Sequence, residues 1–254
     1  MPYVALAHAG RVHYAERGER RPGRPSALLI HGAGASSAIW MMALARVARS
    51  GHAVAIDLPG HGPSATDGAA LDGAQGLTLA RYRDAVGELA GTLCLGPSVL
   101  VGHSLGALVA IEAALAWPDK VRALVLCAAA PRLGVDPELA RVLRDEPAAV
   151  IAWLADNALS PTAKPAIRRG FLAAGEATPV EVTRADFDIV GATDLSARIS
   201  ALACPVTWLD GADDGIVPAT EGRAGAIVKV PGAGHLLPIE APAAVADAVT
   251  AACR

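Results

Sequence analysis

The chain has 254 residues, of which 53% are hydrophobic, and its formal net charge at pH 7 is -3. This length allows one large domain with a substantial core. The weak negative charge offers no field that would attract nucleic acid or an anionic membrane, so neither is a predicted partner. The four cysteines are far apart and form no CxxC pair, which argues against a zinc site and a disulfide framework.

Short β-rich runs alternate with longer alanine- and leucine-rich runs, a pattern typical of a parallel sheet with helices on its faces. In chain order the predicted strands are RVHYAERG, SALLIHG, AVAIDLPG, SVLVGHS, VRALVLCAA, PVTWLDG and AIVKVPG. The predicted helices between them include SSAIWMMALARVARS, LTLARYRDAVGELAGTL and LGALVAIEAALAWP. The start of the sheet is expected to be antiparallel. The opening MPYVALAHAG does not read as a secretory signal, so we expect a cytoplasmic protein.

The alternation of strands and helices stops between residues 131 and 195. Six prolines in this stretch separate short helical pieces such as PAAVIAWLADNAL and KPAIRRGFLAAG. Because the stretch lies between two predicted strands, we expect a helical cap inserted over one end of the sheet. The predicted division is therefore a core of residues 1–130 and 196–254 and a cap of residues 131–195.

The segment VLVGHSLGALVAIEAA begins as an apolar strand and ends as an apolar helix. Its GHSLG part has the G-x-S-x-G spacing, in which Gly102 and Gly106 let the strand turn sharply into the helix. The serine between them is then held at an exposed, strained corner. The pattern predicts Ser104 as a nucleophile.

A serine hydroxyl needs a base to take its proton, and a carboxylate must hold that base in one tautomer. Downstream, WLDGADDGIVP offers Asp210, Asp213 and Asp214 after an apolar strand, and KVPGAGHLLPIE offers His235 in a glycine-rich loop. We therefore expect Ser104 to act with His235 and one of the three aspartates.

Five segments, in this order, resemble the α/β-hydrolase superfamily of cofactor-free serine hydrolases. They are HGAG (31–34), DLPGHGPS (57–64), GHSLG (102–106), GADDGIVP (211–218) and PGAGHLLPIEAP (231–242). The order of serine, acid and histidine is also the one that this fold uses. The resemblance spans essentially the whole chain. It implies an α/β-hydrolase fold, with a mostly parallel eight-stranded sheet, helices on both faces and a helical cap.

The resemblance also implies roles for individual residues. Ser104 would be the nucleophile, His235 the general base and Asp214 the orienting acid, because the family's spacing from Gly211 falls on Asp214. Asp213 would then be a turn or cap residue.

Negative charge collects on the carbonyl oxygen when serine attacks, and backbone N–H groups must stabilise it. The resemblance implies Ala33 and Leu105 as these oxyanion donors, with Gly34 as the fallback for Ala33. Gly34, Trp153 and Leu236 are the predicted substrate contacts.

The remaining histidines are not predicted to do chemistry. His31 and His61 are expected to bond the backbone, and His103 is expected to point away from the site. The others, His8, His13 and His52, are expected at the surface.

These residues predict a serine hydrolase that cleaves carboxylic esters of small-molecule acyl substrates through an acyl-serine intermediate. Alternatives with the same fold are a lactonase, a thioesterase, an acyl-carrier ester hydrolase and a C–C bond hydrolase. A non-catalytic ligand-binding member is a third class. No cofactor and no metal are predicted, and the sequence predicts no oligomeric state.

Overall fold

The computed structural model of the chain describes residues 2–65, 76–175, 177–217 and 223–254. The strands are β1 (Tyr3–Leu6), β2 (Gly10–Gly18), β3 (Ala27–Ile30), β4 (His52–Ile56), β5 (Ser98–His103), β6 (Val121–Cys127), β7 (Val206–Gly211) and β8 (Ala226–Val230). The α-helices are α1 (Met41–Val47), α2 (Leu79–Thr92), α3 (Leu105–Ala116), α4 (Pro137–Asp145), α5 (Val150–Asn157), α6 (Pro165–Gly175), α7 (Val180–Ala192), α8 (Leu237–Glu240) and α9 (Pro242–Ala252).

The described strands form one 8-stranded sheet in the order β1-β2-β4-β3-β5-β6-β7-β8. The first two pairings, β1 with β2 and β2 with β4, are antiparallel, and every later pairing is parallel. The predicted α/β class, with a mostly parallel sheet that starts antiparallel, is confirmed.

Helices cover both faces of the sheet because successive strand residues point to opposite sides. In β3, Leu28 and Ile30 join the apolar cluster that contains α2 and α3. Ala27 and Leu29 join the cluster that contains α1 and α9. The central strands are therefore buried on both faces, which explains their continuous apolar sequences.

The segment between β6 and β7 contains four helices, α4 to α7. Side chains of α4 and α5 form a separate apolar cluster with Phe171 of α6. Helix α7 differs, because its Val182 and Val190 belong to the main core cluster. We call α4 to α7 the cap helices; α4, α5 and α6 share their own apolar cluster, whereas α7 packs on the core.

Within the described residues, no helix combines the length and the apolar composition that a bilayer crossing requires.

Candidate active site

Ser104 lies at the corner between the end of β5 and the start of α3. Its backbone has φ 52° and ψ -118°, in the left-handed half of conformational space that a side chain disfavours. Neighbouring backbone forces this turn: a Cβ at Gly102 would lie 2.4 Å from Ala107 Cα, and one at Gly106 would lie 2.3 Å from the Ile30 carbonyl oxygen. Only glycine fits at either position, so the helix can start directly against β3 with Ser104 at its tip.

Asp214 follows β7 and contacts the imidazole of His235. The His235 Nδ1 to Asp214 Oδ2 distance is 3.1 Å, and the two side chains are 7% and 5% exposed. Asp214 Oδ1 accepts the backbone N–H groups of Ile216 and Val217 at 2.9 and 3.1 Å. Burial alone would raise the pKa of Asp214, but the hydrogen bond and charge of His235 and these N–H groups hold that pKa below its ordinary value. Asp214 is thus an anion fixed beside the ring.

The other two aspartates of this segment have different partners. Asp213 Oδ2 accepts the Ser160 hydroxyl at 2.7 Å, and Asp210 pairs with Arg223 at 2.7 Å. Of the three aspartates that the sequence left open, Asp214 is the one whose carboxylate contacts His235.

Ser104 and His235 line the same cavity of about 340 Å³ beneath the cap helices. Most of its wall is apolar, with Ile39, Leu133, Leu139, Leu154, Phe171 and Phe187 among the lining residues. Among the hydrogen bonds of the described residues, none joins the Ser104 hydroxyl to His235 Nε2. Such catalytic hydrogen bonds are often long without substrate and shorten when it binds.

The two predicted oxyanion donors come from two separate segments, the loop after β3 and the start of α3. Ala33 lines the cavity, and Leu105 is the first residue of α3, where a helix leaves its N–H groups unpaired. Within the described chain neither N–H donates to a protein acceptor. Gly34 is different, because its N–H is bound to the carboxylate of Asp186 at 2.9 Å. The fallback donor is therefore already occupied, and Gly34 is not among the cavity-lining residues.

Of the three predicted substrate contacts, one lines the cavity and two do not. Leu236 lines the cavity, whereas Trp153 is not among the lining residues and packs against the cap cluster. The helical period explains this difference: consecutive residues are about 100° apart around an α-helix, and α5 directs Leu154 to the cavity. The structure does not bring Trp153 or Gly34 to the cavity.

Two buried histidines near the site are fixed in the neutral form. His31 Nδ1 donates to Gly32 O at 2.9 Å, and its Nε2 accepts Leu58 N–H at 3.0 Å. His103 Nε2 donates to His235 O at 2.9 Å, and its buried Nδ1 has no partner among the described residues. Burial lowers the pKa of each ring to about 3. His103 was expected to point away from the site, but it lines the cavity and holds the backbone of His235.

Two surface predictions are wrong. His13 is 3% exposed and pairs with the fully buried Asp57, and His52 is 5% exposed and contacts Ser26 and Glu16. Their partners are polar groups distant in sequence, which local patterns do not reveal. His8 is exposed, as expected.

Sequence reasoning missed two carboxylates that contact the loops of the site. Asp186 of α7 binds Gly34, and Glu240 of α8 accepts the N–H groups of Gly234 and Leu236 on both sides of His235. A signal for Asp186 was present, because it falls four residues from both Val182 and Val190 on the buried face of α7.

The sequence matches the family model described as the alpha/beta hydrolase family over residues 27–248. The chain belongs to the alpha/beta hydrolase family. This alpha/beta hydrolase is 28% identical to the pimeloyl-acyl-carrier-protein methyl ester esterase of Pseudoalteromonas atlantica over 209 residues, 76% of this chain and 78% of that protein. It is 31% identical to the (E)-2-((N-methylformamido)methylene)succinate hydrolase of Acinetobacter baylyi over 123 residues, 48% of this chain and 43% of that protein.

A solved structure of a thermophilic esterase from Thermogutta terrifontis superposes on this alpha/beta hydrolase with a TM-score of 0.82. The sequence identity is 24%, and the superposition covers 98% of this chain and 97% of the esterase. At this identity the likeness shows the shared fold. Within the described residues of the alpha/beta hydrolase, no group of three His, Cys, Asp or Glu side chains is placed to hold a metal ion.

Proposed function

We propose that this alpha/beta hydrolase cleaves carboxylic esters through an acyl-serine intermediate. The observation that carries the proposal is the arrangement around one cavity: Ser104 at a strained strand-to-helix corner, and His235 in the lining of the same cavity with its Nδ1 bound to Asp214. An anion on Nδ1 leaves Nε2 as the basic nitrogen, which is the tautomer that a general base needs.

The reaction then follows from these positions. His235 Nε2 removes the Ser104 proton as Oγ attacks the ester carbonyl, and the N–H groups of Ala33 and Leu105 stabilise the resulting oxyanion. When the tetrahedral intermediate collapses, the C–O bond to the alcohol breaks and His235 gives the alcohol its proton. Water, deprotonated by His235, attacks the acyl-serine in the same way and releases the acid and free Ser104.

The cavity favours an uncharged acyl group. Among the described lining residues there is no Lys or Arg, and the ranges 66–75 and 218–222 contain neither type in sequence. Among the described lining residues, the only carboxylate belongs to Asp136, just before α4. A carboxylate on the acyl group of a substrate would therefore be buried in this cavity beside Asp136 and without a counter-ion. This feature favours a neutral ester over the acidic substrate of a succinate hydrolase.

The charge of the cap does not favour binding of an acidic carrier protein that would deliver the acyl group. Residues 131–195 contain seven Lys or Arg and ten Asp or Glu, a formal balance of -3. Several of the cationic side chains are already paired with neighbouring carboxylates, as Arg141 is with Glu138 and Glu146. A small ester is therefore favoured over an acyl-carrier ester.

The first test is the activity of the Ser104→Ala variant. With p-nitrophenyl valerate as substrate, removal of the nucleophile should lower kcat by about 10⁴-fold or more and abolish labelling by a fluorophosphonate. Ser50→Ala is the matched control, because the Ser50 hydroxyl contacts Val47 O and Thr250 and is outside the cavity lining. Unchanged turnover and labelling in Ser104→Ala would contradict the proposal. Tight ligand binding by the wild type without turnover of any ester would favour the non-catalytic class.

The same assay tests the charge of the acyl group. Mono-p-nitrophenyl glutarate differs from the valerate ester by a carboxylate in place of the terminal methyl group. We expect kcat/KM to be at least about 10-fold lower for the glutarate ester, because its charge would be buried unpaired. A preference for the glutarate ester, or for a C–C substrate over both, would overturn the assignment of a neutral acyl group.

A further inference from the structure

A buried carboxylate on the cap contacts the loop that carries one proposed oxyanion donor. Asp186 lies in the middle of α7 and is 0% exposed. Its Oδ2 accepts the N–H of Gly34 at 2.9 Å, and Gly34 directly follows Ala33. The proposed reaction assigns no role to Asp186, yet this side chain is bound next to the oxyanion hole.

Two further donors from separate parts of the core converge on the same carboxylate. His61 Nε2 lies 2.7 Å from Asp186 Oδ2, and the Tyr82 hydroxyl donates to Oδ1 at 2.6 Å. The second ring nitrogen of His61, Nδ1, lies 3.1 Å from the carbonyl oxygen of Pro59. A carbonyl and a carboxylate only accept hydrogen bonds, so both ring nitrogens carry protons and His61 is a cation.

The electrostatics agree with a charged pair. Burial alone would lower the pKa of His61, but the charge and the hydrogen bond of Asp186, together with the Pro59 carbonyl and the charge of Asp57, hold that pKa above its ordinary value. Both side chains are 0% exposed, so each is the counter-ion that makes burial of the other tolerable. The hydrogen bond from Gly34 therefore ends on an ionised carboxylate, and an ionised acceptor strengthens it.

The loop that contains Ala33 is held on both sides of that residue. On one side, the carbonyl oxygen of Gly32 accepts His31 Nδ1 at 2.9 Å and the N–H of Ala35 at 3.2 Å. On the other side, the backbone of Gly34 has φ 64°, and a Cβ there would lie 2.9 Å from Thr183 Cγ2 of α7. Helix α7 thus packs directly on this loop and supplies the carboxylate that fixes its second half.

We propose that Asp186 is a positioning residue that aims the Ala33 N–H at the oxyanion by anchoring the Ala33–Gly34 peptide from the cap. The inference rests on the proposed esterase function, because it assigns the anchored loop to the oxyanion hole. On this inference, one half of the oxyanion hole takes its geometry from a cap helix.

The test compares Asp186→Asn with Asp188→Asn, the same change on an exposed carboxylate of the same helix. Asparagine keeps the size of the side chain but removes the charge that the Gly34 N–H and His61 require. We expect kcat with p-nitrophenyl valerate to fall about 10-fold to 100-fold in Asp186→Asn while KM stays within about threefold, because only the transition state carries the oxyanion. Asp188→Asn should keep the kcat of the wild type within about twofold.

A boronic acid provides the second readout, since its tetrahedral adduct with Ser104 places an anionic oxygen in the oxyanion hole. The inhibition constant of butylboronic acid should rise in Asp186→Asn by about the factor by which kcat falls. A kcat within threefold of the wild type would overturn the proposal, as would a rise in KM at constant kcat. An equal loss of kcat in Asp188→Asn would also overturn it.

Tyr82→Phe separates positioning from general support of the fold. This variant loses the phenol donor but keeps the carboxylate and its bond to Gly34, so we expect a lower melting temperature and a kcat within about threefold of the wild type. A loss of kcat equal to that of Asp186→Asn would contradict a specific role for the Gly34 contact.

Amide hydrogen exchange in the wild type tests the anchor even if Asp186→Asn does not fold. The Gly34 amide should exchange as slowly as amides of the central strands, because its hydrogen bond is buried. Exchange at the rate of an exposed loop amide would overturn the proposal. Absence of any Ser104-dependent turnover in the wild type would instead contradict the proposed esterase function, so the two failures are distinguishable.

Discussion

Asp213 and Asp214 are adjacent residues with identical side chains, and their surroundings give the two carboxylates different chemistry. Asp213 is exposed, and its carboxylate accepts a hydroxyl from the cap residue Ser160. Asp214 is buried beside His235 and accepts two backbone N–H groups. Only the second arrangement can hold a protonated imidazole in place during the reaction.

The paired variants Asp214→Asn and Asp213→Asn test this difference. Asp214→Asn should lower kcat by about 10³-fold to 10⁴-fold, because the amide no longer holds the productive tautomer or stabilises the imidazolium. Asp213→Asn, which changes only the acceptor of the Ser160 hydroxyl, should change kcat by less than about threefold. Ester turnover by both purified variants measures the effect. Equal losses in the two variants would contradict the assignment of Asp214.

The sequence left three aspartates open, and the family resemblance pointed to Asp214 because its spacing is local, three residues after Gly211 at the end of a strand. It could not place Asp186, His13 or His52, because their partners are remote along the chain. The hydrogen bond between Asp186 and Gly34 spans 152 residues, and that between His13 and Asp57 spans 44. Contacts of this kind exist only after the sheet and the cap have assembled.

Among the elements, the buried parallel strands were the most predictable. The continuous apolar runs of β3, β4 and β5 reflect burial on both faces. The seven predicted runs correspond to β2 through β8, although β2 is antiparallel to its neighbours and β8 is largely exposed. Strand β1 was not singled out, because Tyr3–Leu6 is four residues long and partly exposed. The pieces predicted within the cap correspond to α5 and α6, whereas α7, which carries the contact between Asp186 and Gly34, was not singled out.

The junction between β5 and α3 leads to a prediction about glycine. Gly106→Ala places a methyl group 2.3 Å from the Ile30 carbonyl oxygen, so we expect a loss of unfolding free energy of roughly 3 kcal/mol or more. Gly91→Ala is the matched control in α2, where the added methyl group would meet no atom within 4 Å beyond the helix's own backbone and the two adjacent residues. That variant should gain about 0.5 to 1 kcal/mol from helix propensity. Urea unfolding measures both, and equal stability of the two variants would contradict the crowding described here.

At the scale of the whole molecule, two fully neutral histidines in the interior make stability depend on pH. His31 and His103 have pKa values of about 3 in the folded chain, because burial disfavours the charged ring. The unfolded chain binds protons at these residues below about pH 6.5. Lowering the pH from 7 to 5 therefore favours the unfolded state at each of them.

His103→Gln tests this coupling. When the pH falls from 7 to 5, each buried neutral histidine should lower the free energy of unfolding by about 2 kcal/mol. The variant lacks one such histidine, so its free energy of unfolding should fall by about 2 kcal/mol less than that of the wild type. Urea unfolding at the two pH values gives the four free energies, and His31→Gln provides an independent repeat. Identical pH dependence in wild type and variant would show that the ring is not held neutral by burial.

The docking of α7 on the core also limits which cap segments could be exchanged between members of this family. A chimaera that joined the cap of another hydrolase to this core would bury the donors His61 and Tyr82 without their acceptor, and would leave Gly34 unbound. The transplant would succeed only if its last helix brought a carboxylate to the position of Asp186. In this molecule, a cap exchange should therefore join the two chains before α7, so that α7 stays with its own core.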